Sequence, residues 1–388
     1  MGYYFMWLLG SFSFGAASRI GAGARLLFLE FLLKGGFFVA GAILYFGDRS
    51  LFSEFVYLNS SFTLFYNAAA FGLPFLHARE LHRNADFSVR RLTPLAVFCV
   101  CAVTLFMFAF STHALVAAAA GAMIVADVVY SRYRITRGAP IFVVLSISGF
   151  IILVSNILSG LWGSVDLRYV GILISGVLLM PVLVQLLVSG WHSDVAIESR
   201  WRLIGDGASF SVTHALFWVR NGLDKIILFP LLSVDEYSRY GAVFFVLSAC
   251  QTVLTSLLRI LQKWIFDLAE SEISRIRTVH IAIFCLAVVL LSFAALAGAG
   301  YVTILALGGF VHLFNQVIVN FLNYRRPVFV YTSANVAVSV MFGASLFLIG
   351  PSVMVISYLF CLSNVLLCLI YLLALGGTNL RTHVAAGE

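Results

Sequence analysis

Long apolar runs, separated by short polar stretches, occupy most of the sequence. Because about 20 apolar residues cross the hydrocarbon core of a bilayer as a helix, each run predicts one membrane span. The runs are continuously apolar rather than alternating, which argues against membrane-spanning strands. The pattern predicts twelve spans, at residues 20–47, 53–77, 93–111, 113–131, 139–160, 168–190, 206–232, 237–261, 279–298, 300–323, 327–349 and 352–375.

The composition indicates a chain whose main solvent is lipid. Hydrophobic residues make up 62% of the 388 residues and charged residues only 11%, whereas soluble domains have about 25% charged residues. The mean hydropathy is +1.02. These values exclude a soluble enzyme and a secreted disulfide scaffold. The net charge of +7 does not indicate a nucleic-acid partner, because the cations lie in short loops rather than on one soluble face.

The loop charges predict the orientation of the spans. If the N-terminus faces the cytoplasm, 17 of the 24 Lys and Arg residues lie on the cytoplasmic side, four lie within spans and three lie in outside loops. Because cytoplasmic loops are enriched in Lys and Arg, this distribution predicts an inner-membrane protein with both termini inside. The three outside residues are Arg49, Arg168 and Arg239.

The two halves of the chain resemble each other. The segment SLFSEFVY at 50–57 is similar to DEYSRYGA at 235–242, an offset of 185 residues. Six spans return the chain to the same side, so the halves are expected to be parallel repeats in an all-α, polytopic membrane protein. The predicted organisation is an interfacial segment at 1–19 (a thirteenth span is the alternative), an N-lobe at 20–190, a cytoplasmic linker at 191–205, a C-lobe at 206–375 and a cytoplasmic tail at 376–388.

Charged residues inside the spans indicate a polar cavity. Each costs about 2.5–3.5 kcal/mol at the centre of a membrane helix on insertion scales, so such residues usually face water or a partner. Glu30 and Lys34 lie four residues apart in the first span, and Arg220 and Asp224 do so in the seventh, beside Lys225. Either each pair neutralises itself, or the cations line a positive cavity for an anion such as phosphate. After subtraction of the offset, Lys34 and Arg220 lie one position apart, which favours a shared cavity.

Three further polar residues within spans have weaker indications. Asp127 is a candidate for proton coupling or for an ion pair, and Asn221 is a candidate for substrate contact or for hydrogen bonding between helices. His312 stands alone, and such a histidine is more often packed and hydrogen-bonded than a ligand. The sequence has no nucleophile and base combination and no common metal or nucleotide motif. Transport is therefore favoured over catalysis, and neither a cofactor nor a metal is expected.

With these features, the chain resembles the multidrug, oligosaccharidyl-lipid and polysaccharide exporter superfamily, and within it the Wzx-type polysaccharide flippases. The resemblance rests on the two sets of six spans and on FWVRNGLDKIILFPLLSVDEYSRYGAVFFVLSACQTVLTSL at 217–257. That segment is similar to the seventh and eighth spans of the family. The counterpart in the first half, at 37–62, matches more loosely and lacks the Gly after the aromatic residue at the turn.

The resemblance implies two six-helix lobes around a central cavity that opens alternately to each side. The expected substrate is an undecaprenyl-pyrophosphate-linked oligosaccharide, whose pyrophosphate would contact Lys34, Arg220 and Lys225. Membrane lipids and other polysaccharide assembly proteins are the expected partners. Two alternatives stay open. A cation-coupled drug exporter is expected to have an acidic, aromatic cavity, and a membrane polysaccharide polymerase or ligase is expected to have a large external loop.

Overall fold

The computed structural model describes residues 16–83, 93–109, 113–136, 139–163, 166–188, 197–260, 273–296, 298, 300–325 and 329–385. Within these residues the chain forms helices and no strands, as the apolar runs predict. The helices are α1 Ala16–Gly47, α2 Arg49–Ala69, α3 Leu73–Arg83, α4 Thr93–Ala109, α5 Ala114–Thr136, α6 Ala139–Trp162, α7 Asp166–Val188, α8 Ile197–Asn221, α9 Leu223–Leu228, α10 Val234–Ile260, α11 Ile273–Leu296, α12 Tyr301–Arg325, α13 Phe329–Ile349 and α14 Val353–Ala385.

These helices match the twelve predicted spans, but two spans are each divided into two helices. The second span breaks at residues 70–72, between α2 and α3, and the seventh breaks at Gly222, between α8 and α9. Phe71 and Gly72 have φ angles of 45° and 61°, which a right-handed helix does not contain. By length and composition, five stretches of the described helices are apolar enough to cross a membrane: Ala114–Ser131, Val143–Trp162, Tyr301–Val319, Thr332–Ile349 and Val353–Ala374.

The same pairs of helices pack together in both halves. In the N-lobe, α1 packs along α6 and α5 packs along α7, while in the C-lobe α8 packs along α13 and α12 packs along α14. These pairs are the first with the fifth span and the fourth with the sixth span of each half. The predicted fold class is therefore confirmed, because the chain is an all-α, polytopic membrane protein with two six-span lobes around a central cavity.

Two predicted boundaries differ from the helices. The predicted linker at 191–205 is helical from Ile197 onward and continues into the C-lobe as α8, and α14 continues to Ala385, through most of the predicted tail. A polar stretch at the end of a membrane span can thus extend the helix beyond the bilayer, so that loss of hydrophobicity does not mark the helix end. The segment at 1–15 lies outside the described residues.

The residues that the repeat matches have equivalent environments. Ser53 and Ser238 are both buried, and each hydroxyl donates a hydrogen bond to a backbone carbonyl in the preceding turn. Phe55 and Tyr240 lie in one apolar core that joins the two lobes. This equivalence supports the repeat that the sequence predicts.

The lobes contact each other along α10, which packs on α1 and α2, and along α8, which packs on α2. A glycine lets α1 approach closely, since a Cβ atom on Gly41 would lie 2.2 Å from the ring of Phe245. On the other side of the interface, the indole Nε1 of Trp218 donates a hydrogen bond to the Ser60 carbonyl at 2.7 Å.

An ion pair joins the lobes at each end of the bundle. At one end Arg49 Nη1 lies 2.7 Å from Asp235 Oδ1, with both side chains exposed. This hydrogen bond raises the pKa of the Arg49 guanidinium above its usual value. At the other end Arg79 is buried, and its Nη2 lies 2.6 Å from Asp206 Oδ2. Arg49 is the first residue of α2 and Arg79 lies in the second half of α3, so the two ion pairs lie at opposite ends of this pair of helices.

Candidate functional site

A cavity of about 270 Å³, called here the large cavity, lies between the lobes. Helices α1, α2, α5, α6 and α7 form most of its wall, and α10 of the C-lobe closes it. Among the described residues, its charged lining side chains are Lys34, Asp127 and Arg168. With two cations and one carboxylate, this described part of the wall carries a net positive formal charge.

Arg168 is the feature of this cavity that the sequence pattern does not predict, since the charge count places it in an outside loop. It lies in the first turn of α7 and is only 6% exposed. Its guanidinium carbon lies 4.3 Å from the ring centroid of Phe37 and 5.3 Å from that of Phe62, where aromatic rings stabilise a cation. Among the described residues, none accepts a hydrogen bond from its Nε or Nη1. The guanidinium therefore retains donors for an anion.

The helix face on which Arg168 lies accounts for its burial, and Ser175 marks that face in the sequence, because small polar residues in membrane helices lie at contacts between helices. The buried positions of α7 include Arg168, Ile172, Ser175 and Leu179, which lie at intervals of four, three and four residues on one helix face. Arg168 lies on that face one turn before Ile172, so its side chain points into the lobe. A count of charges by loop misses it, because the count ignores the direction in which a residue at the span end points.

Asp127 and Lys34, two of the predicted site residues, lie on the wall of the large cavity. Asp127 is buried, and its Oδ2 accepts a hydrogen bond from the hydroxyl of Tyr66, which lines the same wall. Lys34 is half-buried on α1. Glu30 lies one turn earlier in α1, and its side chain is outside the part of the structure described. The large cavity thus contains both a candidate anion contact and a candidate coupling carboxylate.

Arg220 has different surroundings from Lys34. It is 2% exposed in α8 of the C-lobe, and its Nη2 donates a hydrogen bond to Asn335 Oδ1 at 2.6 Å. Asn335 Nδ2 in turn donates to the hydroxyl of Tyr371 at 3.1 Å. Nε and Nη1 of Arg220 also lack acceptors among the described residues, but Arg220 is not part of the large cavity wall. The structure does not bring Lys34 and Arg220 together on that wall.

Asp224 pairs with Lys225 rather than with Arg220. The helix is interrupted at Gly222, between Arg220 and Asp224. A spacing of four residues therefore no longer places these two side chains on one helix face. Asp224 Oδ1 lies 3.3 Å from Lys225 Nζ, and Asp224 Oδ2 accepts a hydrogen bond from the hydroxyl of Tyr240. Both members of the pair are buried. Neither residue lines the large cavity. The positive charge of Lys225 is neutralised locally by the carboxylate of Asp224.

A second cavity of about 190 Å³, called here the small cavity, lies in the C-lobe among α8, α10, α12 and α14. Asn221, the fourth predicted substrate contact, lines it together with Gln251 and His312. Ser248 and Gln251 line both cavities. The two cavities are therefore adjacent along this face of α10.

Comparison with known proteins gives structural matches only. No family model and no curated protein sequence matches the chain. The crystal structure of the Vibrio cholerae MATE transporter VcmN aligns with a TM-score of 0.54 at 11% identity, over 94% of this chain and 98% of its own. That of the eukaryotic MATE transporter AtDTX14 aligns with a TM-score of 0.50 at 13% identity, over 93% and 95%. The chain thus has the fold of MATE transporters over almost its whole length.

Proposed function

We propose that the chain is a transporter that moves an anionic, lipid-linked oligosaccharide across the cytoplasmic membrane by alternating access between its lobes. The observation that carries this proposal is Arg168. It is a buried cation on the wall of the large cavity, and no described carboxylate forms a salt bridge with it. A buried charge without a counterion is costly, so a bound anion recovers free energy. Because a guanidinium binds phosphate through two parallel hydrogen bonds, phosphate or pyrophosphate is the anion we infer.

Lys34 and the aromatic residues of the same wall complete the proposed site. Lys34 adds a second cation, which favours a group with more than one negative charge, such as a diphosphate. Phe37, Phe38 and Phe62 also line the large cavity and provide an apolar surface beside the charged group. The lipid chain does not need to fit into about 270 Å³, because it can stay in the bilayer while the headgroup occupies the cavity.

An exporter of organic cations is the second candidate function. The fold that the chain shares with MATE transporters supports it, and so does the carboxylate of Asp127 on the cavity wall. However, Lys34 and Arg168 give the described part of that wall a net positive charge. Because like charges repel strongly where the effective dielectric constant is low, an organic cation is disfavoured.

Binding to the purified chain in lipid nanodiscs tests the proposal. Geranylgeranyl diphosphate serves as the anionic probe and tetraphenylphosphonium as the cationic probe. We expect the diphosphate to bind and Arg168→Gln to weaken it about tenfold or more, because a hydrogen bond to a charged group contributes about 1.5–3 kcal/mol. Arg239→Gln is the matched control, since Arg239 is exposed and lines neither cavity.

Two results would contradict this function. One is tighter binding of tetraphenylphosphonium than of the diphosphate, which favours the drug exporter. The other is undiminished binding of the diphosphate by Arg168→Gln.

Transport is measured in proteoliposomes with a fluorescent prenyl diphosphate, whose outer-leaflet fraction is quenched by dithionite. The wild-type chain is expected to increase the quenched fraction, and Arg168→Gln is not.

A further inference from the structure

The lining of the small cavity suits a neutral ligand that is rich in hydroxyl groups. Its polar side chains include Asn221, Gln251 and His312, and none of the described residues that line it is Asp, Glu, Lys or Arg. A hydroxyl group both donates and accepts hydrogen bonds, and a side-chain amide offers both a donor and an acceptor. Phe244 and Phe310 add aromatic surface to the same wall. Apolar walls with a few fixed polar groups are typical of small-molecule sites.

His312 is held in this wall through both ring nitrogens. Its Nδ1 lies 3.1 Å from the acceptor Asn364 Oδ1, so Nδ1 carries the proton. Its Nε2 then accepts from the amide nitrogens of Gln251 at 3.1 Å and Gln316 at 3.2 Å. In this arrangement the imidazole is neutral, and it orients the amide of Gln251 at the cavity wall.

Asn221 lines the same cavity, and none of the described residues donates a hydrogen bond to its side-chain oxygen. Its Nδ2 donates a hydrogen bond to the Phe217 carbonyl in the preceding turn at 2.6 Å. This contact fixes the amide plane. Its Oδ1 is then the atom positioned to accept from a ligand hydroxyl.

The two cavities meet at α10. Ser248 and Gln251 lie three residues apart, on one face of that helix, and line both. Arg168 and Gln251 line the same large cavity, so a ligand whose phosphate contacts Arg168 can extend its next chemical group toward Gln251. In a lipid-linked oligosaccharide, that group is the sugar attached to the phosphate.

We propose that the small cavity binds the sugar nearest the phosphate, with Asn221 and Gln251 as its hydrogen-bonding residues and Phe310 as its stacking surface. This inference rests on the proposed function, because it takes the phosphate in the large cavity as given. The C-lobe then selects lipid phosphates that carry a sugar over those that do not, while the N-lobe binds the shared anionic group.

Two probes of equal charge test this site: geranylgeranyl diphosphate with a methyl ester on its terminal phosphate, and the same lipid with one glucose there instead. The preference is the ratio of their dissociation constants for the full chain in nanodiscs. We expect the wild type to bind the glucosylated lipid more tightly. Asn221→Ala and Gln251→Ala should each reduce the preference about fivefold, since a neutral hydrogen bond contributes about 1 kcal/mol.

Gln316→Ala is the matched control for the hydrogen-bond network. Gln316 donates to the same nitrogen of His312 as Gln251 does but lines neither cavity, so the preference is expected to persist. Equal affinity of the wild type for the two probes would overturn the sugar site. The same holds if the preference survives in both Asn221→Ala and Gln251→Ala.

Arg168→Gln separates a failure of the sugar site from a failure of the proposed function. We expect this variant to weaken both probes by the same factor and to leave the preference intact. If it weakens neither, the anion site is wrong. If it weakens both while Asn221→Ala and Gln251→Ala keep the preference, only the sugar site is wrong.

Discussion

Arg168 and Arg220 are buried arginines in opposite lobes, and their surroundings differ. Arg168 lies on the wall of the large cavity beneath aromatic rings, whereas Arg220 lies among packed helices and donates to the amide of Asn335. An amide oxygen fixes a guanidinium through a directed hydrogen bond, while ring faces attract its charge and leave its donors unused. Access to a cavity, rather than burial or charge, therefore distinguishes the candidate ligand contact from the internal one.

The largest expected effect concerns Lys225, a third buried cation, whose charge is neutralised by its neighbour. Asp224→Ala removes the partner of the ion pair and leaves a buried charge, so the free energy of unfolding should fall by about 3–5 kcal/mol. Unfolding in mixed micelles, followed by tryptophan fluorescence, measures this change. Asp235→Ala, which removes an exposed carboxylate, is the control and should change little. Equal losses in the two variants would show that local neutralisation does not matter.

The next effect is that of Arg220→Ala. It leaves the Asn335 oxygen without its donor, so we expect a loss of about 1–3 kcal/mol in unfolding free energy. A double-mutant cycle with Asp224→Ala should show additive losses within about 0.5 kcal/mol, because the two residues share no hydrogen bond. A larger coupling energy would indicate that Arg220 and Asp224 do interact, as their four-residue spacing suggests.

Arg168→Met is expected to have a smaller effect of opposite sign. Replacement of an uncompensated buried ion by an apolar side chain should leave the unfolding free energy unchanged or raise it by about 1 kcal/mol. The same micelle unfolding assay applies. A loss as large as that of Arg220→Ala would remove the distinction between the two arginines.

The smallest effect belongs to Arg49→Gln at the exposed end of the lobe interface. Exposed ion pairs contribute little to stability. The shift in thermal unfolding midpoint should be close to experimental error at low salt. It should vanish at 1 M salt, where the screening length is about 3 Å. A clear, salt-independent shift would mean that the ion pair with Asp235 is not governed by screened surface electrostatics.

The twelve spans could be predicted from the sequence because bilayer thickness imposes a minimum apolar length on every span. The break at residues 70–72 could not, since apolar residues continue through it and Phe71 takes a φ angle that non-glycine residues rarely adopt. The break at Gly222 could not either, because glycine is also common within unbroken membrane helices. The break at Gly222 also explains why the four-residue spacing of Arg220 and Asp224 does not produce a pair.

The candidate site was predictable in part. Lys34 and Asp127 line the large cavity, as expected of charged residues within spans. Arg168 was missed because it lies at the end of a span, where only the helix face shows whether a side chain points inward. The contacts of His312 depend on α10 and α14, and pairings between distant helices are not encoded in local spacing.

The Arg49–Asp235 ion pair has a consequence for the symmetry between the two halves. Its members are 186 residues apart, so each faces a residue next to its own counterpart in the repeat. In a symmetric dimer of identical half-length chains, the two neighbouring positions of one copy would meet those of the other across the twofold axis. An arginine at one position and an aspartate at the next could then form the same ion pair twice. The counterparts of Arg49 and Asp235 in this chain are Val234 and Ser50, so the pair forms once and the interface between the halves is asymmetric at this end.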